Sequence, residues 1–281
     1  RWSTTDMALS FFVLLALYFF VLLFQSNFQK NIYAYLFYLS LGLGFMVKGP
    51  PAILIPGLTA LGFLIATTRK SWFSGLRVGP GLIILLVIIV PWFAAMLGMH
   101  GEEFKNHIVG NEIKNRLVHD TPFSFYYVGV LFRYQLPWSL FFIFAAIKQF
   151  GLLGFSNAKG IKFRGRLGKW RENVSRHIKL LFKEGNESVA FCYIWILVCL
   201  ILFTLLRVEH SRYMLPSCTA VAILTARLFA GIEKNPAESD EFGFKVSVVI
   251  TFVILLIFAL LTGVGVFVFD SIPIELYVIP V

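Results

Sequence analysis

What most constrains this chain is a set of long apolar runs. Ala8 to Gln25, Val78 to Leu97, Ser188 to Leu206 and Val246 to Phe269 are each almost free of charge. Each reaches the roughly 18 residues that a helix needs to cross a ~30 Å hydrocarbon core. Composition agrees, with 58% hydrophobic and 14% charged residues, where soluble domains carry about 25% charged residues. The chain reads as an all-α, polytopic membrane protein, which excludes a soluble domain.

In order, the predicted spans lie near 8–25, 31–47, 52–68, 78–97, 123–147, 188–206, 214–232 and 246–269, about eight in all. Lys48-Gly49-Pro50-Pro51 separates the second from the third. Each proline there lacks a donor and disfavours helix in the residue before it, so the turn cannot be helical. The two pieces read equally as two full spans or as a shallower hairpin, and Pro56 is placed to kink the later one. The chain opens Arg1-Trp2-Ser3 without Met, and residues 1–281 are read as the C-terminal portion of one longer transmembrane domain. Cys192, Cys199 and Cys218 fall inside apolar runs and read as small buried side chains, since no ligand spacing surrounds them.

Lys and Arg bias gives the orientation. One set of connections holds Lys30, Arg69, Lys70, Arg77, Lys234 and Lys245, and the loop 148–187 adds ten more cations from Lys148 to Lys183. The opposite set holds Arg1, Lys48, Lys105, Lys114, Arg116, Arg207 and Arg212. The first set is therefore cytoplasmic, and the polar loop Met99 to Asp120 faces outside. The net charge of +10 is accounted for by topology, so no nucleic acid is expected as a partner. Within the basic loop, Val174, Ile178, Leu181 and Phe182 have the spacing of a helix lying on the anionic inner leaflet; a solvated linker is the alternative. Two Asn-x-Ser matches at Asn173 and Asn186 lie on the same side and are taken as chance.

With sides assigned, every outward connection carries a polar group near a span end. Asp6 stands at the mouth of the first span and Lys48 at the end of the second. The polar loop adds Glu112 and Arg116, and the last large outer turn runs Arg207-Val208-Glu209-His210-Ser211-Arg212-Tyr213. A ring of cations and carboxylates at one interface suits an anionic substrate whose tail lies in lipid. The cations hold a phosphate, while a carboxylate activates the attacking group or binds a metal. Charges that merely anchor span ends are the plain alternative. His107, His119 and His210 form no i, i+4 pair, and a lone interfacial His is more often structural.

The order of these motifs resembles a family. It runs Thr5-Asp6-Met7, then Gly42-x-Gly44-x-x-x-Lys48-Gly49-Pro50, then Pro91-Trp92, Glu112-x-x-x-Arg116-Leu117, Tyr126-Tyr127 to Leu136-Pro137-Trp138, and Arg212-Tyr213-Met214-Leu215-Pro216. The series looks like the type C glycosyltransferases that use lipid-linked sugars. Within them it is similar to bacterial relatives of the protein O-mannosyltransferases and the lipid A aminoarabinose transferase. The resemblance implies a polyprenyl-phosphate sugar donor, a lipid or protein acceptor, surrounding membrane lipids as partners, and transfer on the outer face of the inner (plasma) membrane. It implies Asp6 as the catalytic acidic residue of this portion, with Lys48, Arg116, Arg212 and Tyr213 at the donor phosphate. Glu112, Arg133 and His210 are further candidates to line the site. Ile113 stands where the family has His, and the family's first acidic motif lies in a loop that would precede Arg1. The cofactor is left unknown, a divalent cation being the candidate. Arg133 falls inside a predicted span, where a cation is costly enough to mark a function; snorkelling to the outer interface is the alternative. Two rival functions stay open, a transporter or lipid-carrier flippase and a membrane scaffold without chemistry.

Overall fold

A computed structural model describes residues 5–67, 72–106, 125–150, 172, 175–177, 180–182, 186–206, 210–234 and 242–270. Among these the chain is helical, with no strand. Helices α1 (Thr5–Gln25), α2 (Asn31–Lys48) and α3 (Pro51–Thr67) open it, followed by a single turn, α4 (Trp72–Gly75), and the long α5 (Val78–Asn106). Two short helices, α6 (Tyr126–Tyr134) and α7 (Ser139–Gln149), precede α8 (Glu187–Leu206). A 3-10 turn, η1 (Ser211–Ser217), leads into α9 (Cys218–Lys234), and α10 (Phe242–Asp270) ends the described chain.

Every predicted span is occupied by helix, but the helices are not equivalent. Five described helical stretches are long and apolar enough to cross a membrane, and a sixth counts if α6 and α7 make one bent span. Those two meet at 114°, so the uniform span expected over 123–147 is instead a broken pair. The break carries Leu136-Pro137, where proline removes a backbone donor and ends the run of helical bonds. Both halves of α6 touch the neighbourhood of η1: Tyr127 near its start accepts from His210 and Tyr134 at its end bonds Ser211. Helix α6 is thus held to the start of η1 from both of its ends.

The first two turns set which residues meet. Helix α2 stops at Lys48 because Gly49 takes φ 77, a left-handed value that side chains resist. Pro51 then begins α3, at a position where its missing N–H costs nothing. The antiparallel arrangement of α1 and α2 brings the N-terminus of one beside the C-terminus of the other. Close approach of α2 to its neighbours depends on small residues. A Cβ on Gly44 would lie 2.9 Å from Phe12 and 3.0 Å from Ala52, and one on Gly81 would lie 2.2 Å from the Tyr38 ring. In lipid, where apolar burial drives helices together only weakly, such backbone contact supplies the association.

One main core joins α1, α2, α3, α8 and η1, with Phe20, Phe24, Phe37, Phe63 and Phe191 in ring contact at 4.9–6.2 Å. A smaller core of Phe141, Phe144 and Leu228 links α7, α9 and α10. Leu181 is buried in the main core and Phe182 packs against it. Those two members of the expected surface helix therefore face protein; Val174 and Ile178 lie outside the described residues. Cys192 and Cys199 are buried and Cys218 half-buried, all as free thiols.

Candidate functional site

Asp6 lies in the first turn of α1 and Lys48 in the last turn of α2. Each sits where its own helix favours it, an anion at a positive N-terminus and a cation at a negative C-terminus, an effect of about 0.3–1 kcal/mol apiece. The hairpin places these ends side by side, and the Lys48 ammonium donates to Asp6 Oδ1 as an ion pair. The two side chains are only 19% and 10% exposed, so water screens the pair less than at an open surface.

The 3-10 turn supplies a floor. Tyr213 presents its ring 4.5 Å from Lys48 Nζ, within the range of a cation–π contact. Phe203 of α8 stacks on the same ring at 5.1 Å, and His210 meets it edge-on at 5.5 Å. The backbone N–H of His210 donates to the Tyr127 hydroxyl at 3.3 Å, and Tyr127 tilts against Phe203 at 5.7 Å. Five elements, α1, α2, α6, α8 and η1, thus converge on one cation. Tyr127 and Phe203 are buried and fix the aromatic floor, while Lys48 and Asp6 sit over it.

Of the residues singled out from sequence, Asp6, Lys48, His210 and Tyr213 come together. Arg212 does not share this pocket. It is exposed, about a third of a circle round the 3-10 turn from Tyr213, and its charge acts on Tyr134. Arg133 is also exposed, near the C-terminal end of α6, with its guanidinium 5.7 Å from the Tyr134 ring. Glu112 and Arg116 lie outside the described residues, as do His107 and His119. Phe104 packs back on Trp92 and Phe93 at 5.8 and 6.0 Å across a kink at Gly101. No three His, Cys, Asp or Glu side chains gather among the described residues. Sequence reasoning gave Phe203 no role, since nothing in an all-apolar run marks which ring will support a distant tyrosine. Tyr127 stood in a quoted motif, without a role.

Polar contacts at the opposite end are of another kind. Arg77 Nε donates to Asn31 Oδ1 at 3.1 Å, and Arg227 donates to Asn186 Oδ1 at 3.0 Å, all exposed. No aromatic floor lies under either arginine among the described residues.

Comparison with known proteins gives a consistent picture. Residues 1–94 match the family model for dolichyl-phosphate-mannose-protein mannosyltransferase. An undecaprenyl phosphate-alpha-4-amino-4-deoxy-L-arabinose arabinosyl transferase of Serratia proteamaculans is 28% identical over 67% of this chain and 29% of its own length. A namesake from Pseudomonas fluorescens is 26% identical over 68% of this chain and 30% of its own. An uncharacterized protein of Aquifex aeolicus is 22% identical over 80% of this chain and 38% of its own. The chain thus spans about a third of the length of these relatives. The crystal structure of ArnT from Cupriavidus metallidurans bound to undecaprenyl phosphate aligns with a TM-score of 0.55 at 20% identity, over 80% of this chain and 36% of that one, which shows the fold. The chain is an all-α, multi-pass membrane protein, similar in sequence to transferases named for lipid-phosphate-linked sugars and in fold to ArnT.

Proposed function

We propose that the longer protein containing this chain transfers a sugar from a polyprenyl-phosphate donor to a lipid or protein acceptor, and that the Lys48 end holds the donor's phosphate. The observation that carries the reading is the half-buried Lys48–Asp6 pair on the Tyr213 ring, drawn from three separate elements. A lysine ammonium has three donors. With one on Asp6, the others remain for phosphate oxygens. As the anomeric carbon–oxygen bond breaks, negative charge grows on that phosphate, and a cation fixed beside it favours the transition state over the ground state. The attacking acceptor group loses its proton to a carboxylate, with Asp6 the candidate in this chain. Arg116 is proposed as a second cation from the outer loop and Glu112 as a lining residue. The names of the relatives support a donor of the undecaprenyl-phosphate aminoarabinose type, and the matched family model supports a lipid-phosphate mannose.

Charge supports an orientation in the inner membrane with this end outside. Lys30, Arg77, Arg227, Lys234 and Lys245 belong to the opposite end or its connections, and in sequence the basic loop 148–187 falls in the same set. The test is transfer from radiolabelled undecaprenyl-phosphate aminoarabinose, and separately from polyprenyl-phosphate mannose, by the full polypeptide in its membrane. Lys48→Gln and Asp6→Asn should each lower the rate with the cognate donor by about 100-fold or more. Unchanged rates in both variants would overturn the assignment. Protease cleavage of the 148–187 loop only from the cytoplasmic side is the result expected for the orientation.

A further inference from the structure

The 3-10 turn η1 serves two clusters, and only one of them enters the proposed reaction. Tyr213 faces Lys48, while Ser211, two residues earlier, faces α6 and bonds Tyr134 Oη at 2.7 Å. Around that hydroxyl pair stand two guanidinium groups. Arg133 lies against the Tyr134 ring at 5.7 Å, and Arg212 follows Ser211 directly. Both arginines are exposed, and among the described residues neither is ion-paired with a carboxylate. The hydroxyl pair contains two O–H donors and uses one internally, which leaves one for a ligand. Two forked cations and a free hydroxyl donor, with neither cation ion-paired among the described residues, match a group with several acceptor oxygens on one centre. That group is a phosphate. In the proposed orientation this end meets the outer face, where lipid phosphates sit, so a phosphate carried on a lipid fits the position.

We propose that Arg133, Tyr134, Ser211 and Arg212 form a second phosphate-binding subsite, which takes a lipid-borne phosphate other than the one at Lys48. The inference rests on the proposed function only in assigning the donor phosphate to Lys48. Its ligand is either the phosphate of an acceptor lipid or the headgroup of a bilayer phospholipid; the chemistry is the same. Arg133 is the residue that distinguishes this end, since it places a cation where the sequence otherwise runs apolar.

Binding of two probes to the full polypeptide in detergent tests this, undecaprenyl phosphate and dioleoyl phosphatidic acid, with dioleoylglycerol as the phosphate-free control. The variants are Lys48→Gln, Arg133→Gln, Arg212→Gln and Ser211→Ala. All alter partly or fully exposed side chains, and unchanged thermal melting checks folding. The expected result is that Arg133→Gln and Arg212→Gln each weaken phosphatidic acid about tenfold or more and leave undecaprenyl phosphate within about twofold. Ser211→Ala should have a smaller effect of the same kind, and Arg133→Lys should recover part of the loss. Phosphatidic acid binding that is unchanged in Arg133→Gln/Arg212→Gln, or equal to that of dioleoylglycerol, overturns the subsite; so does an equal loss of both probes, which means a single site. If Lys48→Gln leaves undecaprenyl phosphate binding intact while the arginine variants behave as expected, the donor assignment fails and the subsite stands. In the transfer assay, a raised KM for acceptor at unchanged kcat identifies the acceptor's phosphate, and unchanged kinetics identify a bilayer headgroup.

Discussion

The two ends of the helical bundle make cross-helix polar contacts with different consequences. At one end Lys48 and Asp6 are half-buried against aromatic rings, while at the other Arg77 and Arg227 reach exposed asparagine oxygens. An exposed contact competes with water and contributes up to about 1 kcal/mol. A sheltered ion pair has already lost part of its hydration, so removing one partner leaves a charge that is costly to keep. The proposed function places the incoming phosphate at the sheltered end, while the contacts at the exposed end hold the turns. The same contrast separates Lys48 from Arg133 and Arg212 within the functional end: one cation is paired and shelved on a ring, the other two stand open.

The largest expected effect breaks this contrast at its functional side. Lys48→Ala in the full polypeptide should lower sugar transfer by about 100- to 1000-fold, the range for loss of one group that stabilises developing charge. Arg77→Ala at the other end should change the rate by less than about twofold. A rate assay on both variants measures the difference directly; equal losses would mean that neither end is special.

Next in size is packing. Gly81→Ala would press a methyl into the Tyr38 ring, where a Cβ has only 2.2 Å. Overpacking of this kind should destabilise by about 1–3 kcal/mol, read as a lowered midpoint of thermal unfolding in detergent. Gly57, whose added Cβ would meet nothing within 4 Å, provides the control. If Tyr38→Ala fails to recover stability in the Gly81→Ala background, the clash is not the cause.

Asp6→Asn should cost about 1–3 kcal/mol of stability by leaving the Lys48 ammonium without its carboxylate. Adding Lys48→Met should return part of that loss, and a double-mutant cycle on melting free energies measures the coupling. At the exposed end, Arg227→Ala should cost no more than about 0.5 kcal/mol. A larger loss there would remove the distinction between the ends.

Much of the architecture was legible because lipid imposes strict rules on sequence. Long uncharged runs in lipid form helices, and apart from 123–147 the described residues of each predicted span are helical. Pro50 and Pro51 ended α2 and began α3 as their ring chemistry requires. The pairing of Asp6 with Lys48 was legible only as proximity to one interface, since two residues 42 apart in sequence meet through the antiparallel packing of α1 on α2. The bend between α6 and α7 was not legible. Leu136-Pro137 marked a weak point, but its 114° angle comes from where η1 and α9 seat the two halves. For Arg133, counting along an unbroken helix left depth and snorkelling both open; in the structure it is exposed near the end of α6, just before the bend.

By itself, then, the sequence determined the class of structure, the helical segments, the end at which charges gather and the resemblance of the motif series. These follow from periodicity, length and local backbone chemistry, which are written residue by residue. Tertiary structure alone decided that Tyr213 and Phe203 floor the Lys48 pocket, and that Arg212 turns away from it toward Tyr134 and Ser211. Those relations depend on the rotation of one 3-10 turn against the nearby α8 and against α2 and α6, both far away in the chain. That rotation is fixed by packing, and no local pattern encodes it.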